Sequence, residues 1–226
     1  MQAVILAAGR GKRMGALTDA IPKPMLRVGE KTLLEYKLDA LPDEVDEAIV
    51  VVGYLGHKIS AYFGDSYAGK KITYVSTGEL LGTGHALWQV RDLLRGKFLV
   101  MMGDDIYSPA DIRKCVSCDW SVLVQSVQKL DRGGRVVIDD QKRLKDIVEG
   151  DAHGGLPGLV YTGLCVLQPE IFKYPLVKLP GRDEFGLPQT FLQAANDVPL
   201  TVVEASSWIN ITAPEDLEMA ERALGL

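Results

Sequence analysis

The chain has 226 residues, of which 47% are hydrophobic and 24% charged, with 25 Lys+Arg against 30 Asp+Glu and a formal net charge of -5. That mix excludes a disordered chain, and the length suits one domain, or a domain with a small appendage, since domains run roughly 100–200 residues. The acidic balance excludes a protein that grips nucleic acid along its phosphate backbone, which needs a basic face to displace counterions.

Val4-Ile5-Leu6 opens a series of short apolar runs, followed by Ala48 to Val52, Ile72 to Val75, Phe98 to Met102 and Ser121 to Val124. Runs apolar at every position, rather than alternating, predict strands buried on both faces. Between them, Leu33-Leu34-x-x-Lys37-Leu38-x-x-Leu41 and Ala86-Leu87-x-x-Val90-x-x-Leu93-Leu94 repeat at three and four residues, the spacing of a helix that packs one stripe. Strands alternating with such helices imply an α/β fold, a parallel sheet wrapped by helices. In the second half, Arg135 to Ile138 and Arg143 to Val148 flank Asp139 to Lys142 and predict a hairpin, with Gly158 to Val166 as a return strand. Pro188 to Asn196 reads as a helix, Leu200 to Val203 as a late strand and Pro214 to Leu224 as a closing helix with Pro in its first turn. With no repeat and no linker, one continuous domain is expected.

No stretch approaches the roughly 18 apolar residues of a membrane-spanning helix. Met1 to Ala8 carries no basic leader, and the three cysteines Cys115, Cys118 and Cys165 make no disulfide framework, so a cytoplasmic protein is expected.

The strongest local signal is Leu6-Ala7-Ala8-Gly9-Arg10-Gly11-Lys12-Arg13-Met14, directly after the first strand. Glycines let the backbone approach a ligand, and successive N–H groups at a strand end make a concavity for phosphate oxygens. The spacing is neither that of a dinucleotide fingerprint nor that of a P-loop. Arg10, Lys12 and Arg13, with Lys23 in Pro22-Lys23-Pro24, form a triphosphate-sized cluster of positive charge, the alternative being a glycine turn with solvated basic residues.

Leu6-Ala7-Ala8-Gly9-x-Gly11-x-Arg13-Met14 followed by Pro22-Lys23-Pro24-Met25-Leu26 resembles the opening signature of the sugar-1-phosphate nucleotidyltransferases. The resemblance continues in order through Gly82-Thr83-Gly84-His85-Ala86-Leu87, Met102-Gly103-Asp104-Asp105, Gly134-Arg135-Val136, Ile147-Val148-Glu149, Thr162-Gly163 and Trp208 to Leu217. Only the first motif is specific alone; the ordered set covers nearly the whole chain. It implies a Rossmann-like mixed, mostly parallel sheet flanked by helices, with a small β-hairpin sugar-binding lobe. Residues 1–126 would be mainly the NTP-binding half and 127–226 the sugar-phosphate half, together the size of the family's catalytic domain alone.

The implied reaction is NTP plus sugar 1-phosphate giving NDP-sugar and pyrophosphate, with Mg²⁺ as cofactor. By the resemblance Arg13 and Lys23 are catalytic, Arg13 on the β and γ phosphates and Lys23 between the α-phosphate and the sugar phosphate. Leu6, Ala7, Ala8, Gly9, Gly11, Lys12, Gly82, Thr83 and Asp104 would contact nucleotide, and Asp104 and Asn210 would hold the metal. Gly134, Glu149, Tyr161 and Thr162 would meet the sugar phosphate, while Asp183 and Glu184 are expected in a solvated loop, with an approach to the sugar as the alternative.

Alternatives stay open at several of these positions. Asp104 or Asn210 could cap a helix, Glu149 could be a strand-end charge, and Tyr161 could stack on the sugar or simply pack. Asn210 stands where many members carry Asp, and Leu80 where the N-acetylglucosamine-1-phosphate uridylyltransferases carry a uracil-contacting Gln. UTP or dTTP is the expected donor. Alternatives are guanylyl transfer to mannose 1-phosphate, cytidylyl transfer to choline phosphate, guanylyl transfer to a molybdenum cofactor, or a noncatalytic nucleotide sensor. Neither nucleic acid nor membrane is an expected partner, and a homo-oligomer stays open because many relatives associate. Cys115-x-x-Cys118 has no second pair for zinc, and His85 has no triad partner. His57 and His153 are expected at the surface, Trp88 and Trp120 in the core.

Overall fold

Strands apolar at every position must be covered on both faces, and the first runs are. The computed structural model describes residues 1–130, 133–150 and 154–226, and of Gly133, Glu149 and Gly150 the backbone alone. Strand β1 (Gln2–Ala7) is buried throughout and pairs in parallel with β2 (Glu47–Val52) on one side and β4 (Phe98–Met102) on the other. Beyond β2, β3 (Lys70–Ser76) continues the parallel run.

The second half joins β4 through the long β8 (Leu156–Leu167), which runs antiparallel to it. β8 also pairs with β5 (Ser121–Leu130) and with β6 (Gly133–Ile138), the first arm of a hairpin whose second arm is β7 (Leu144–Gly150). β9 (Thr201–Glu204) lies parallel to β5. The sheet is therefore mixed and mostly parallel in its first half. Residue pattern alone predicted the parallel part; β8 makes it mixed, as the resemblance implied.

Alternation along β1 splits the core into two layers. Ala3, Ile5 and Ala7 face a cluster with Leu34 and Leu38 of α1 (Leu33–Ala40), Ile59 of α2 (Gly56–Phe63) and Ile112 of α4 (Pro109–Val116). Val4 and Leu6 face Leu87 of α3 (Gly82–Trp88) and Phe191 of α5 (Leu187–Ala194). Helix α1 starts with a reciprocal cap: Glu35 N–H donates to Thr32 Oγ1 at 3.1 Å and Thr32 N–H to Glu35 Oε2 at 2.6 Å. A third cluster joins Met14, Leu26, Leu33, Ile106 and Ile211 to Ala220 of α6 (Glu215–Leu224), clamping the segments on either side of the strand ends.

One departure has a local cause. The expected helix through Leu94 stops at Trp88, because bonding shifts to three-residue spacing, with Val90 N–H on Leu87 O and Leu93 N–H on Val90 O. Helices α2 and α4 were not predicted. As expected, Trp120 is buried, and Trp88 meets Phe172 edge-on with centroids 4.9 Å apart. His57 is exposed, and His153 lies outside the described residues. Among the described residues no helix is long and apolar enough to cross a membrane.

Candidate active site

The carboxyl ends of β1, β2 and β4 lie along one sheet edge, where ligands of open α/β sheets bind. The strand ends are laced together: Tyr54 N–H donates to Ala8 O at 3.0 Å and Gly103 N–H to Leu6 O at 2.9 Å. At Gly11 the chain turns with φ of 68°, and a Cβ there would stand 3.0 Å from Lys23 Cβ. Glycine thus lets the loop lie on the lysine stem.

Lys23 follows Pro22 in a short 3-10 turn and is only 5% exposed. Its Nζ donates to Asp104 Oδ2 at 2.6 Å and to the Ile211 carbonyl. A buried ammonium must be paired, and this ion pair and carbonyl fix the lysine head at the cavity wall. Asp104, in the turn after β4, keeps about a third of its side chain exposed.

Behind this pair lies a second charged layer. Lys37 of α1 and Asp105 are both buried, and Lys37 Nζ donates to the Asp105 carbonyl and sits 5.7 Å from the Tyr107 ring centre. Burial, reinforced by Asp104, pushes the Asp105 carboxyl up to about 7, and burial pulls the Lys37 ammonium down to about 8. The Tyr107 hydroxyl donates to Thr162 O at 2.9 Å and lies 3.3 Å from Asp105 Oδ2.

Above Lys23 opens a cavity of about 500 Å³. Leu6, Ala7, Ala8, Gly9, Gly11, Lys12, Lys23, Gly82, Thr83 and Asp104 line it, so three motifs separated in sequence come together at one cavity. Gly82 opens α3 with φ of 91°, and a Cβ would come within 2.5 Å of Phe185 O. The Thr83 hydroxyl accepts from Leu187 N–H at 3.1 Å, tying α3 to the segment that brings Glu184 to the cavity.

Other sequence-derived candidates stand elsewhere. Arg13 is exposed on the 3-10 stretch after Gly11 and is not among the lining residues. Tyr161 packs edge-on against Phe191, centroids 5.5 Å apart, the packing alternative. Thr162 is 1% exposed and its hydroxyl donates to Leu123 O at 3.0 Å, which corrects the expectation that this side chain reaches a sugar: it is spent inside the sheet. Gly134 pairs with Glu149 across the β6–β7 hairpin, and the Glu149 side chain lies outside the described residues. Asn210 is exposed, one residue before the carbonyl that grips Lys23.

Neither capping alternative applies. Ser108 is the cap residue of α4, and at α6 it is Asp216 that accepts from Thr212 N–H at 2.6 Å and Ala213 N–H at 2.8 Å. Sequence reasoning missed Thr77 on the cavity wall and the Lys37–Asp105 layer. For Lys37 a signal existed, a lysine at a stripe position of an otherwise apolar helix face.

This geometry, a glycine-rich loop over a paired lysine and a strand-end aspartate, agrees with the comparison by sequence. Residues 2–224 match the family model described as nucleotidyl transferase, and the chain belongs to that family. It is 32% identical to UTP–glucose-1-phosphate uridylyltransferase AglF of Haloferax volcanii, across 99% of this chain and 96% of that one. It is 30% identical to D-glycero-alpha-D-manno-heptose 1-phosphate guanylyltransferase of Campylobacter jejuni, across 76% and 78%. Against bifunctional protein GlmU of Methanocaldococcus jannaschii, at 28% identity, the chain spans 54% of that protein's length. Among solved structures, HddC from Yersinia pseudotuberculosis superposes with a TM-score of 0.75 at 26% identity, covering 99% of each chain. A Bacillus anthracis structure provisionally assigned as a glucose-1-phosphate thymidylyltransferase gives 0.85 at 22% identity, over 99% and 94%, a likeness of fold.

Proposed function

We propose that this protein transfers a nucleotidyl group from a nucleoside triphosphate to a sugar 1-phosphate, releasing pyrophosphate. The observation that carries the reading is Lys23, a buried cation held by Asp104 and the Ile211 carbonyl on the wall of a nucleotide-sized cavity. A cation so placed serves two anions, the α-phosphate under attack and the incoming sugar phosphate. The oxygen of the sugar phosphate attacks the α-phosphorus in line and pyrophosphate departs, so the protein's task is alignment and charge neutralisation. Backbone N–H groups from Ala8 to Lys12 cradle the phosphates, and Arg13 swings onto the β and γ phosphates as they leave.

Asp104 and Asn210 would hold Mg²⁺, since a partly exposed carboxylate and an exposed amide, one residue before the carbonyl that shares Lys23 with that carboxylate, offer the oxygen donors that suit this hard cation. When bound, it supplies further neutralisation of phosphate charge. Residues 1–126 act as the nucleotide half: all cavity-lining residues but Glu184 come from it. Residues 127–226, with Gly134 and Glu149 on the hairpin lobe, would take the sugar phosphate.

UTP or dTTP is the preferred donor, supported by Gly82-Thr83-Gly84-His85-Ala86 and by the uridylyl activity named for AglF. GTP is the second reading, favoured by the carboxylates Glu79 and Glu184 on the cavity wall, since a carboxylate accepts well from the paired donors of guanine. Pyrophosphate release from a panel of NTPs and sugar 1-phosphates with Mg²⁺ tests the proposal. Turnover of at least one pair supports it; NTP binding without turnover of any pair replaces it with a nucleotide sensor.

A further inference from the structure

The geometry points to Lys37 as a positioning residue for the reaction proposed above, on which this inference rests: it sets the Gly103–Asp105 turn and thereby the aim of the Asp104 carboxylate. Lys37 is not among the residues lining the cavity above Lys23 and sits where the apolar stripe of α1 calls for Leu or Met, between Leu34 and Leu38. It is nevertheless 1% exposed, and an ammonium so buried is costly unless each of its donors finds a use. Its Nζ donates to the Asp105 carbonyl, and its charge stands over the Tyr107 ring at 5.7 Å and near the Asp105 carboxyl.

Asp104 is thereby pinned on both sides. Upstream, Gly103 N–H donates to Leu6 O at 2.9 Å, and a Cβ at Gly103 would come 2.9 Å from that oxygen, so the turn is pressed onto β1. Downstream, Lys37 holds the next carbonyl from the opposite layer. One side chain oxygen of Asp104 then meets Lys23 at 2.6 Å. With an apolar side chain at 37, the downstream anchor is lost while the helix stripe stays intact, and Asp104 keeps its chemistry but not its direction. Outer groups that orient a ligating carboxylate are worth about 10–100-fold in metal affinity or activity.

The test compares wild type with Lys37→Met, nearly the same length without the donor. For the folded variant, kcat for pyrophosphate release is expected to fall about tenfold or more and the half-saturating Mg²⁺ to rise about tenfold, with KM for the NTP within about twofold. A variant that melts earlier but keeps wild-type kcat and Mg²⁺ saturation makes Lys37 a packing residue and overturns the proposal. Should Lys37→Met not fold, Lys37→Gln, whose amide nitrogen ends one bond short of the lysine Nζ and so does not reach the carbonyl, is read by the same two quantities with the same outcomes. If wild type turns over no substrate pair, the reaction itself is wrong. Mn²⁺ binding in the presence of NTP, followed by electron paramagnetic resonance, then decides about Lys37 separately: weakened binding in Lys37→Met upholds its role, and unchanged binding overturns it.

Discussion

Lys23 meets Asp104 Oδ2 and the Ile211 carbonyl at once while 5% exposed, so its charge has no route to solvent except through the cavity. Replacing it with Met removes one preorganised electrostatic contact, and pyrophosphate release is expected to slow about 10²–10³-fold, roughly 2.7–4 kcal/mol of transition-state stabilisation. Steady-state rates checked against an unfolding curve for the same variant separate this from a folding defect. If the proposed reaction holds, Arg13→Ala should lose a similar factor even though Arg13 rests exposed, because in that reading its partner is the leaving pyrophosphate. Gly11→Ala is a milder change with a structural origin. It puts a Cβ in the left-handed region, 3.0 Å from Lys23 Cβ, and should cost about 1–2 kcal/mol of stability in urea unfolding, with weakened NTP binding by calorimetry.

Among the elements, β2 carries a charged clasp at its first residue. Glu47 accepts from Gln2 of β1 at 2.9 Å, from Lys71 and Thr73 of β3 at 2.9 and 2.8 Å, and from Arg95 at 3.2 Å. Burial pushes its carboxyl up, but the hydrogen bonds from Lys71, Gln2 and Thr73 outweigh that and bring it down to about 2 from an ordinary value of 4.5. A depressed carboxyl stabilises the fold above its unfolded value, and this contribution is lost as pH falls from about 4.5 through 2. The loss should reach roughly 2–3 kcal/mol, seen as a falling urea midpoint. In Glu47→Gln the midpoint at neutral pH should already be lower and the acid slope flatter; an unchanged slope would show that other carboxyls carry it. At the other end of the sheet, Gly163 sits at a register shift of β8 with φ of 85°, where a Cβ would meet Met102 Cγ at 2.5 Å. The bulge lets β8 turn past the cavity-lining Met102 without displacing it.

For the molecule as a whole, the net charge is -5, and the cavity wall carries Arg10, Lys12 and Lys23 together with Glu79, Asp104 and Glu184, so positive charge is placed locally, at the glycine-rich loop and Lys23, rather than over the whole cavity. A ligand that binds only the folded state at about 100 times its dissociation constant adds about 2.7 kcal/mol, and for a chain of 226 residues Tm should rise about 5–10 °C. Thermal unfolding with the productive NTP and Mg²⁺ measures this. Lys23→Met should lose most of the rise, and added salt should shrink it.

Consecutive residues were enough to recover β1, β2, β4 and the β6–β7 hairpin, because continuous apolar runs and turn residues are local statements about burial. The loop Leu6 to Met14 and Pro22-Lys23-Pro24 carried the resemblance to the family by residue type and order. Helices α2 and α4 went unread because short amphipathic segments leave few stripe positions to count, and Lys37 was hidden among the leucines of α1. The site's geometry was decided elsewhere. Lys23 meets partners 81 and 188 residues away, and Thr162 spends its hydroxyl on Leu123 rather than on a ligand. Local pattern determined which residue types this protein would use at a strand end. Only tertiary closure, by bringing β1, β4 and the segment after β9 to one edge and burying Lys23 and Lys37 beside the two aspartates, decided where each charge would point.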